Sequence, residues 1–123
     1  MEYAIQEKSF QFAIRIVKLC RYLREEQKEF VMTKQLLRSG TSIGANVSEA
    51  QQAQSKSDFI HKMNIALKEA YETNYWLRLL NATEYISNKA FDSVIADCKE
   101  LERILITIIR TSKVSLEESK TQR

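Results

Sequence analysis

Apolar residues recur at intervals of three and four along most of the chain, and no segment alternates strictly between apolar and polar residues. The three-and-four spacing is that of one helix face, whereas strict alternation would indicate β-strands. The chain has no proline, and its two glycines, Gly40 and Gly44, lie four residues apart. Because helix-breaking residues are so few, the pattern predicts an all-α fold with four helices.

The first two helices have recognisable boundaries. The first is expected from about Tyr3 to Gln27. The second is expected to begin near Thr33 as N-cap, with Met32 and Leu37 as a hydrophobic staple. The predicted inward positions of these two helices are Ile5, Phe12, Ile16, Leu19 and Leu23, then Leu36, Gly40, Ile43, Val47 and Ala50.

Hydroxyl residues mark the starts of the third and fourth helices. Ser55 and Asp58 have near capping-box spacing, and Ser87 is the predicted cap of the fourth helix. The inward positions are Phe59, Met63, Leu67, Ala70, Asn74 and Leu77, then Phe91, Val94, Cys98, Leu101, Leu105 and Ile108. Long helices with short links predict an antiparallel up-down-up-down bundle over residues 1–114. The polar tail 115–123 is expected to fray.

A second group of apolar residues lies away from these inward faces. Contiguous apolar surface on a soluble protein usually marks an interface, and closed symmetry is the default for identical subunits. The pattern therefore predicts a homo-oligomer. The expected interface residues are Phe10, Ile14 and Val17 in the first helix and Ile65, Trp76 and Leu79 in the third, with the run Ile104–Ile109 adding apolar surface in the fourth.

The two glycines need an explanation, because each costs a helix about 1 kcal/mol relative to alanine. Without a Cβ atom, Gly40 and Gly44 allow a neighbouring helix to approach closely. A phosphate-binding loop is the alternative, but that requires glycines at the start of a helix. Two amides near the core, Asn46 and Asn74, are expected to fix the register between helices.

Composition places few further limits. The chain of 123 residues is 44% hydrophobic and 28% charged, which is typical of a globular domain. It has no apolar run long enough to span a membrane and no signal-peptide pattern at its start, which favours a cytoplasmic protein. Cys20 and Cys98 fall on the apolar stripes and are expected to be buried thiols.

Positive charge is concentrated in the first half of the chain. From Lys8 to Ser48, eight Lys and Arg residues face three Glu residues, a net charge of +5. From Glu49 onward, eleven basic residues balance eleven acidic ones. This asymmetry is consistent with RNA or DNA as a partner, and equally with a solvated face or one paired with glutamates of a neighbouring subunit. The predicted basic face consists of Lys8, Arg15, Lys18, Arg21, Arg24 and Lys34.

Catalytic chemistry finds little support. His61 is the sole histidine, so neither a di-iron site with two Glu-x-x-His pairs nor a nucleophile triad is indicated. Glu49, Glu69 and Glu72 are expected to pair with Arg38, Lys62 or Lys68 rather than bind a metal. We therefore expect no enzyme activity, no cofactor, no metal and no small-molecule substrate.

The block "LLRSGTSIGANVSEA", followed by "SKSDFIHKMNIALKEAYETNYWL", resembles the 23S rRNA intervening-sequence protein family, whose members are also described as ribosomal-protein-like four-helix bundles. The resemblance implies a left-handed bundle that assembles as a ring-shaped homopentamer. It also implies kinship with the accessory variability proteins of diversity-generating retroelements, which are thought to bind nucleic acid and a reverse transcriptase. The family motif falls on Arg38, Ser42, Asn46, Glu49, Glu69, Glu72 and Leu77.

Two functions are therefore open. One is a nucleic-acid-binding accessory protein that acts through the basic face of the first helix. The other is a protein-interaction scaffold that docks a partner chain on its outer apolar residues.

Overall fold

The computed structural model describes residues 2–121, which form four helices and no strand. These are α1 (Glu2–Glu25), α2 (Val31–Ala50), α3 (Lys56–Ala82) and α4 (Asn88–Thr121). Each helix packs against the next one along the chain, and α1 also packs against α4. Within the described part of the chain, the diagonal pairs α1–α3 and α2–α4 do not approach each other. The all-α prediction is confirmed, and the helices surround one core.

The predicted inward faces of α1, α2 and α4 form most of this core. All five predicted positions of α2 are buried, and only Leu19 in α1 and Phe91 in α4 are half-buried instead. In α3, Met63, Ala70 and Leu77 are buried as predicted, whereas Phe59, Leu67 and Asn74 are half-buried. The face of α3 toward α2 includes a small polar residue instead: Thr73 is fully buried and its Oγ1 lies 2.9 Å from Oγ of Ser39. The buried residues of α3 are Ile60, Met63, Ala66, Ala70, Thr73, Leu77 and Leu80.

The glycines of α2 lie where α1 and α2 are closest. A Cβ atom on Gly40 would be 2.8 Å from Cγ2 of Ile16, and one on Gly44 would be 3.2 Å from the backbone oxygen of Ser9. The predicted close approach is confirmed, and the helix against which the glycines pack is α1.

The start of α2 differs from the prediction. The helix begins at Val31, two residues before the predicted cap, and Thr33 lies buried in its first turn. The carboxylate of Glu29 caps the helix instead. It accepts hydrogen bonds from the backbone N–H groups of Val31, Met32 and Thr33, the last at 2.7 Å, and from the Thr33 hydroxyl at 2.7 Å. A longer acidic side chain in the preceding loop therefore reaches donors that a hydroxyl at Thr33 cannot satisfy.

The other two predicted caps are confirmed. Ser55 Oγ accepts from the Asp58 N–H at 3.0 Å, and Ser87 Oγ accepts from the Ala90 N–H at 3.1 Å. The Asp58 carboxylate accepts from the backbone N–H of Gln54 at 3.3 Å, one residue earlier than a capping box would place it.

The C-terminal region differs from two predictions, a frayed tail and an exposed apolar run in α4. The segment expected to fray from Ser115 continues α4 as helix through Thr121, and residues 122–123 lie outside the described residues. The apolar run Ile104–Ile109 is mostly used within the chain itself. Leu105, Ile108 and Ile109 are buried, and Ile104 and Ile106 are half-buried. This run therefore contributes little to the exposed apolar surface.

Both thiols are core residues, as predicted. Cys20 and Cys98 are free and fully buried, and they contact the carbonyl oxygens of Thr33 and Ala70. Burial raises the pKa of Cys20 to about 11, with Arg24 opposing the shift, and burial together with Glu102 also raises that of Cys98. Among residues 2–121 no helix combines the length and the apolar character needed to cross a membrane.

Candidate functional site

Two members of the predicted basic face are neutralised by α4. Arg15 Nη1 lies 2.7 Å from Oδ2 of Asp97, and its other terminal nitrogen donates to Oγ of Ser93 at 2.6 Å. Lys8 Nζ lies 3.4 Å from Glu100. These pairs are partly exposed, so each contributes little to stability. They do remove Lys8 and Arg15 from the positive charge available to a ligand.

The remaining four basic residues are free of such partners; we call them the α1 basic surface, formed by Lys18, Arg21, Arg24 and Lys34. Within the described residues, none has a carboxylate oxygen within 4.0 Å. Arg24 is half-buried and the other three are exposed. Lys18, Arg21 and Arg24 lie in the last two turns of α1, and Lys34 lies in the first turn of α2.

Nearby acids reduce this charge only in part. Glu25 and Glu26 are exposed at the end of α1. Glu29 is only 8% exposed because its carboxylate faces the first turn of α2. Burial acts to raise the pKa of Glu29, but the hydrogen bonds from Thr33, Met32 and Val31 outweigh it and hold the pKa below its ordinary value. Glu29 is therefore ionised and committed to the helix start rather than to the neighbouring cations.

Tyr22 lies between Arg21 and Arg24 in α1 and is the candidate stacking residue of this surface. Tyr22 is 42% exposed, and its hydroxyl accepts from Nε2 of Gln27 at 2.6 Å. Gln11 instead donates to Glu7 at 3.2 Å, one turn earlier in α1. Tyr22 is thus the aromatic side chain that α1 presents near its unpaired cations.

The family-motif residues form a polar seam between α2 and α3. Arg38 donates to Glu69 at 3.0 Å and also to Glu72, which in turn accepts from Nε1 of Trp76 at 3.1 Å. The bond from Arg38 is the largest influence on Glu72 and lowers its pKa; burial opposes this and Trp76 reinforces it. Lys62 Nζ lies 3.1 Å from Glu49. The carboxylates thus pair across helices, as the sequence predicts.

Of the two amides expected to fix the register between helices, Asn74 bonds across helices and Asn46 does not. Asn46 Nδ2 donates to the carbonyl oxygen of Ser42 at 2.8 Å, within α2 itself. Asn74 is half-buried, and its Nδ2 donates to Oε2 of Glu102 on α4 at 3.0 Å. A fully buried polar contact joins Ser39 of α2 and Thr73 of α3. It was not predicted because hydroxyl residues occur on every face of these helices.

The predicted interface residues separate into two groups. Phe10 is 62% exposed, and Ile14 and Val17 are also exposed. The three residues of α3 are already half-buried within the chain, and one of them, Trp76, packs against the core; the three are Ile65, Trp76 and Leu79. The apolar residues of α3 therefore offer less free surface than expected.

An apolar groove lies beside Phe10, between α1 and α2. Its volume is about 530 Å³. Large side chains of α1 form one wall, and small residues of α2 around Gly44 form the floor. We call it the α1/α2 groove; its lining includes Tyr3, Gln6, Phe10, Ala13, Thr41, Gly44, Ala45 and Ser48.

A further basic surface escaped the sequence analysis. Arg78, Lys99, Arg103 and Arg110 are exposed and lie more than 4.0 Å from every carboxylate oxygen among residues 2–121. They were not predicted because acidic and basic residues are equal in number from Glu49 onward, so the net charge of this segment is zero. A helical projection of α4 alone would have separated its cations from Asp97 and Glu100.

The same part of the chain offers no metal site. No group of three or more His, Cys, Asp or Glu side chains between residues 2 and 121 is close enough to share a metal ion. His61 is exposed on α3, away from the core, as its position in the sequence predicts.

Comparisons with known proteins agree with the motif resemblance. A family model described as 23S rRNA-intervening sequence protein matches residues 1–107. A crystal structure of a protein with unknown function from the S23 ribosomal protein family of Bacteroides thetaiotaomicron VPI-5482 is 58% identical, with a TM-score of 0.88, and the match covers 89% of this chain and 97% of that chain. The curated proteins provide no match. This chain therefore belongs to the family of 23S rRNA-intervening sequence proteins.

Proposed function

We propose that the protein is a non-enzymatic, cytoplasmic accessory protein that binds RNA or DNA as an oligomeric four-helix bundle. The α1 basic surface supports this proposal most directly. Asp97 and Glu100 of α4 are paired with Arg15 and Lys8, whereas Lys18, Arg21, Arg24 and Lys34 have no carboxylate partner among the described residues. Unpaired, solvated cations bind phosphates and release counterions, so the binding is strongly salt-dependent and largely independent of sequence.

The proposed assembly is an antiparallel, up-down-up-down, left-handed bundle that closes into a homopentameric ring. Residue numbers fall in α1 as they rise in α2 along their contact, from Ile16 beside Gly40 to Ser9 beside Gly44, which supports the antiparallel order. The exposed Phe10 and the α1/α2 groove supply an apolar surface for a second copy. The handedness and the pentamer rest on the family resemblance. A ring would repeat the α1 basic surface, so that weak phosphate contacts add together.

The test is a titration of labelled RNA and duplex DNA at about 50 mM and about 200 mM salt. We expect wild-type protein to bind at the lower salt and to weaken steeply at the higher. A variant with Lys18→Gln, Arg21→Gln and Lys34→Gln should bind much more weakly. The charge-matched control carries three substitutions at other lysines whose side chains already have polar partners: Lys56→Gln, Lys62→Gln and Lys120→Gln.

The outcomes separate charge from location. Equal losses in both variants would mean that only net charge matters. If the first variant binds as tightly as wild type, α1 is not the binding site. If the control alone retains wild-type affinity, the assignment to the α1 basic surface is supported.

A protein-interaction scaffold is the second candidate, and the α1/α2 groove favours it. An apolar groove with a 62% exposed Phe10 at its edge suits an apolar partner segment. A reverse transcriptase is the protein partner that the family resemblance implies. Nuclease-resistant recovery of one protein partner from the source cell, without bound nucleic acid, would favour the scaffold over the nucleic-acid-binding function.

A further inference from the structure

The outward surface shared by α3 and α4 combines unpaired cations with exposed tyrosines. We call it the α3/α4 face; it consists of Tyr71, Tyr75, Arg78, Lys99, Arg103 and Arg110. In the closed order of the four helices, α3–α4 and α1–α2 are opposite sides of the bundle. The α3/α4 face is therefore separate from the α1/α2 groove.

Segregation of charge within α4 produces this face. Asp97 and Glu100 are directed at Arg15 and Lys8 of α1. Lys99 precedes Glu102 by three residues, and Arg103 and Arg110 follow Lys99 by four and eleven. This helical spacing places the three cations on one exposed side of α4, directed away from the bundle core.

Hydrogen bonds fix the cation that α3 contributes. Arg78 Nε donates to Oδ1 of Asn74 at 2.9 Å, and Asn74 Nδ2 donates to Oε2 of Glu102 on α4 at 3.0 Å. Arg78 is thereby held at the boundary between the two helices. The Glu102 carboxylate accepts from Asn74 and forms no ion pair with the α4 cations.

The tyrosines provide flat aromatic surface on the same helix as Arg78. Tyr71 and Tyr75 are each 49% exposed. The Tyr75 ring meets Trp76 edge-on, with centroids 5.1 Å apart and planes at 75°, and the Arg78 guanidinium lies 5.8 Å from its centroid. These contacts restrict the Tyr75 ring before any ligand arrives, which lowers the entropic cost of stacking.

We propose that the α3/α4 face is a second nucleic-acid site, and that it takes a single strand with unpaired bases. This inference rests on the proposed function and adds to it a surface and a preference. Lys99 and Arg110 are about 16 Å apart along the helix axis, which matches about five phosphates of a stacked strand. The bases stack on Tyr71 and Tyr75, as in sequence-tolerant single-strand binding. A duplex keeps its base faces covered and gains only the phosphate contacts.

The experiment measures fluorescence anisotropy of a labelled oligouridylate of about 12 nucleotides, and of a duplex of the same length, with the full chain. One variant removes charge with Lys99→Gln, Arg103→Gln and Arg110→Gln. A second removes stacking with Tyr71→Leu and Tyr75→Leu. All five positions are exposed, and circular dichroism checks that each variant keeps its helices.

We expect the charge variant to lose about 10-fold or more in affinity for both ligands at low salt. The tyrosine variant should lose about 10-fold for the single strand and keep its affinity for the duplex. The charge-matched control is the same as for α1: Lys56→Gln, Lys62→Gln and Lys120→Gln.

The α1 variant with Lys18→Gln, Arg21→Gln and Lys34→Gln distinguishes this inference from the proposed function. If only that variant loses affinity, the α1 site stands and the α3/α4 face is not a site. If only the α3/α4 variants lose affinity, the present inference stands and the α1 assignment fails. A wild-type protein that binds neither ligand contradicts both, and equal losses of the tyrosine variant for strand and duplex contradict the single-strand preference.

Discussion

Gly40 lies so close to Ile16 that a Cβ atom on the glycine would be 2.8 Å from Cγ2 and 2.9 Å from Cγ1 of the isoleucine. Ile16 is fully buried and β-branched, so its side chain has few alternative rotamers in a helix. The separation of α1 and α2 is therefore set by the missing side chain of Gly40. The same close approach forms the floor of the α1/α2 groove, where Gly44 lies.

Gly40→Ala should destabilise the protein, although alanine favours helices. Overpacking in a core typically costs about 1–3 kcal/mol, against about 1 kcal/mol gained in helix propensity. We expect a lower midpoint in urea unfolding. Adding Ile16→Ala makes room for the new methyl group, so the double variant should lose less than the sum of the two single changes. A Gly40→Ala variant more stable than wild type would contradict the close packing of these helices.

Glu29→Gln should weaken the start of α2 and reduce the pH dependence of stability. The native pKa of Glu29 lies below its ordinary value, so its contribution is present above the unfolded pKa and is lost as the pH falls through the native one. At neutral pH we expect the variant to lose about 1 kcal/mol in free energy of unfolding. Unfolding curves between about pH 7 and about pH 3 should show the difference shrinking toward acid. A difference that does not change with pH would mean that the carboxylate does not cap α2.

Arg38→Ala should raise the pKa of Glu72, because the bond from Arg38 is the main influence that lowers it. Nuclear magnetic resonance titration of the Glu72 carboxyl group measures this directly. We expect a loss of stability of about 1 kcal/mol or less, since Arg38 is half exposed. The comparison variant Lys62→Ala breaks the more exposed pair with Glu49 and should leave Glu72 unchanged. An unshifted Glu72 in the Arg38→Ala variant would contradict the α2/α3 polar seam.

Light scattering should find several subunits in the wild-type protein. Phe10→Ser removes a large apolar side chain, 62% exposed, from the α1/α2 groove, and we expect smaller assemblies with the helix content retained. The matched change Val114→Ser lies near the end of α4, is 53% exposed and should leave the assembly intact. A wild-type monomer at micromolar concentration would refute the proposed oligomer.

Local patterns in the sequence were sufficient for the helices and most of the core. The spacing of Leu36, Ile43 and Val47 is a property of one helix, so it could be interpreted without knowing the neighbours. The close approach at Gly40 followed from the same logic, because a glycine inside a helix needs a packing reason. The prediction of the α2 cap was wrong because Thr33 is a residue type that usually caps helices. The group that caps α2 is the carboxylate of Glu29, which lies in the preceding loop and accepts hydrogen bonds from the first turn of the helix.

The distribution of charge depended on contacts that no local pattern contains. Arg15 and Asp97 are 82 residues apart in the chain, and only the packing of α1 against α4 brings them together. The predicted basic face therefore included two residues whose charge is neutralised. Lys99 and Arg103 were likewise not predicted, because the second half of the chain has no net charge. Two of its acids, Asp97 and Glu100, face α1 and leave these cations unpaired.

The salt dependence of binding tests most directly the claim that unpaired cations of α1 hold nucleic acid. With a labelled RNA strand, the logarithm of the affinity should fall linearly with the logarithm of salt concentration, by about 0.7 for each phosphate contacted. Replacing Lys18 and Arg21 by glutamine should reduce that slope by about 1 to 2. A slope that is the same in wild type and variant, or an affinity that does not depend on salt, would contradict the account.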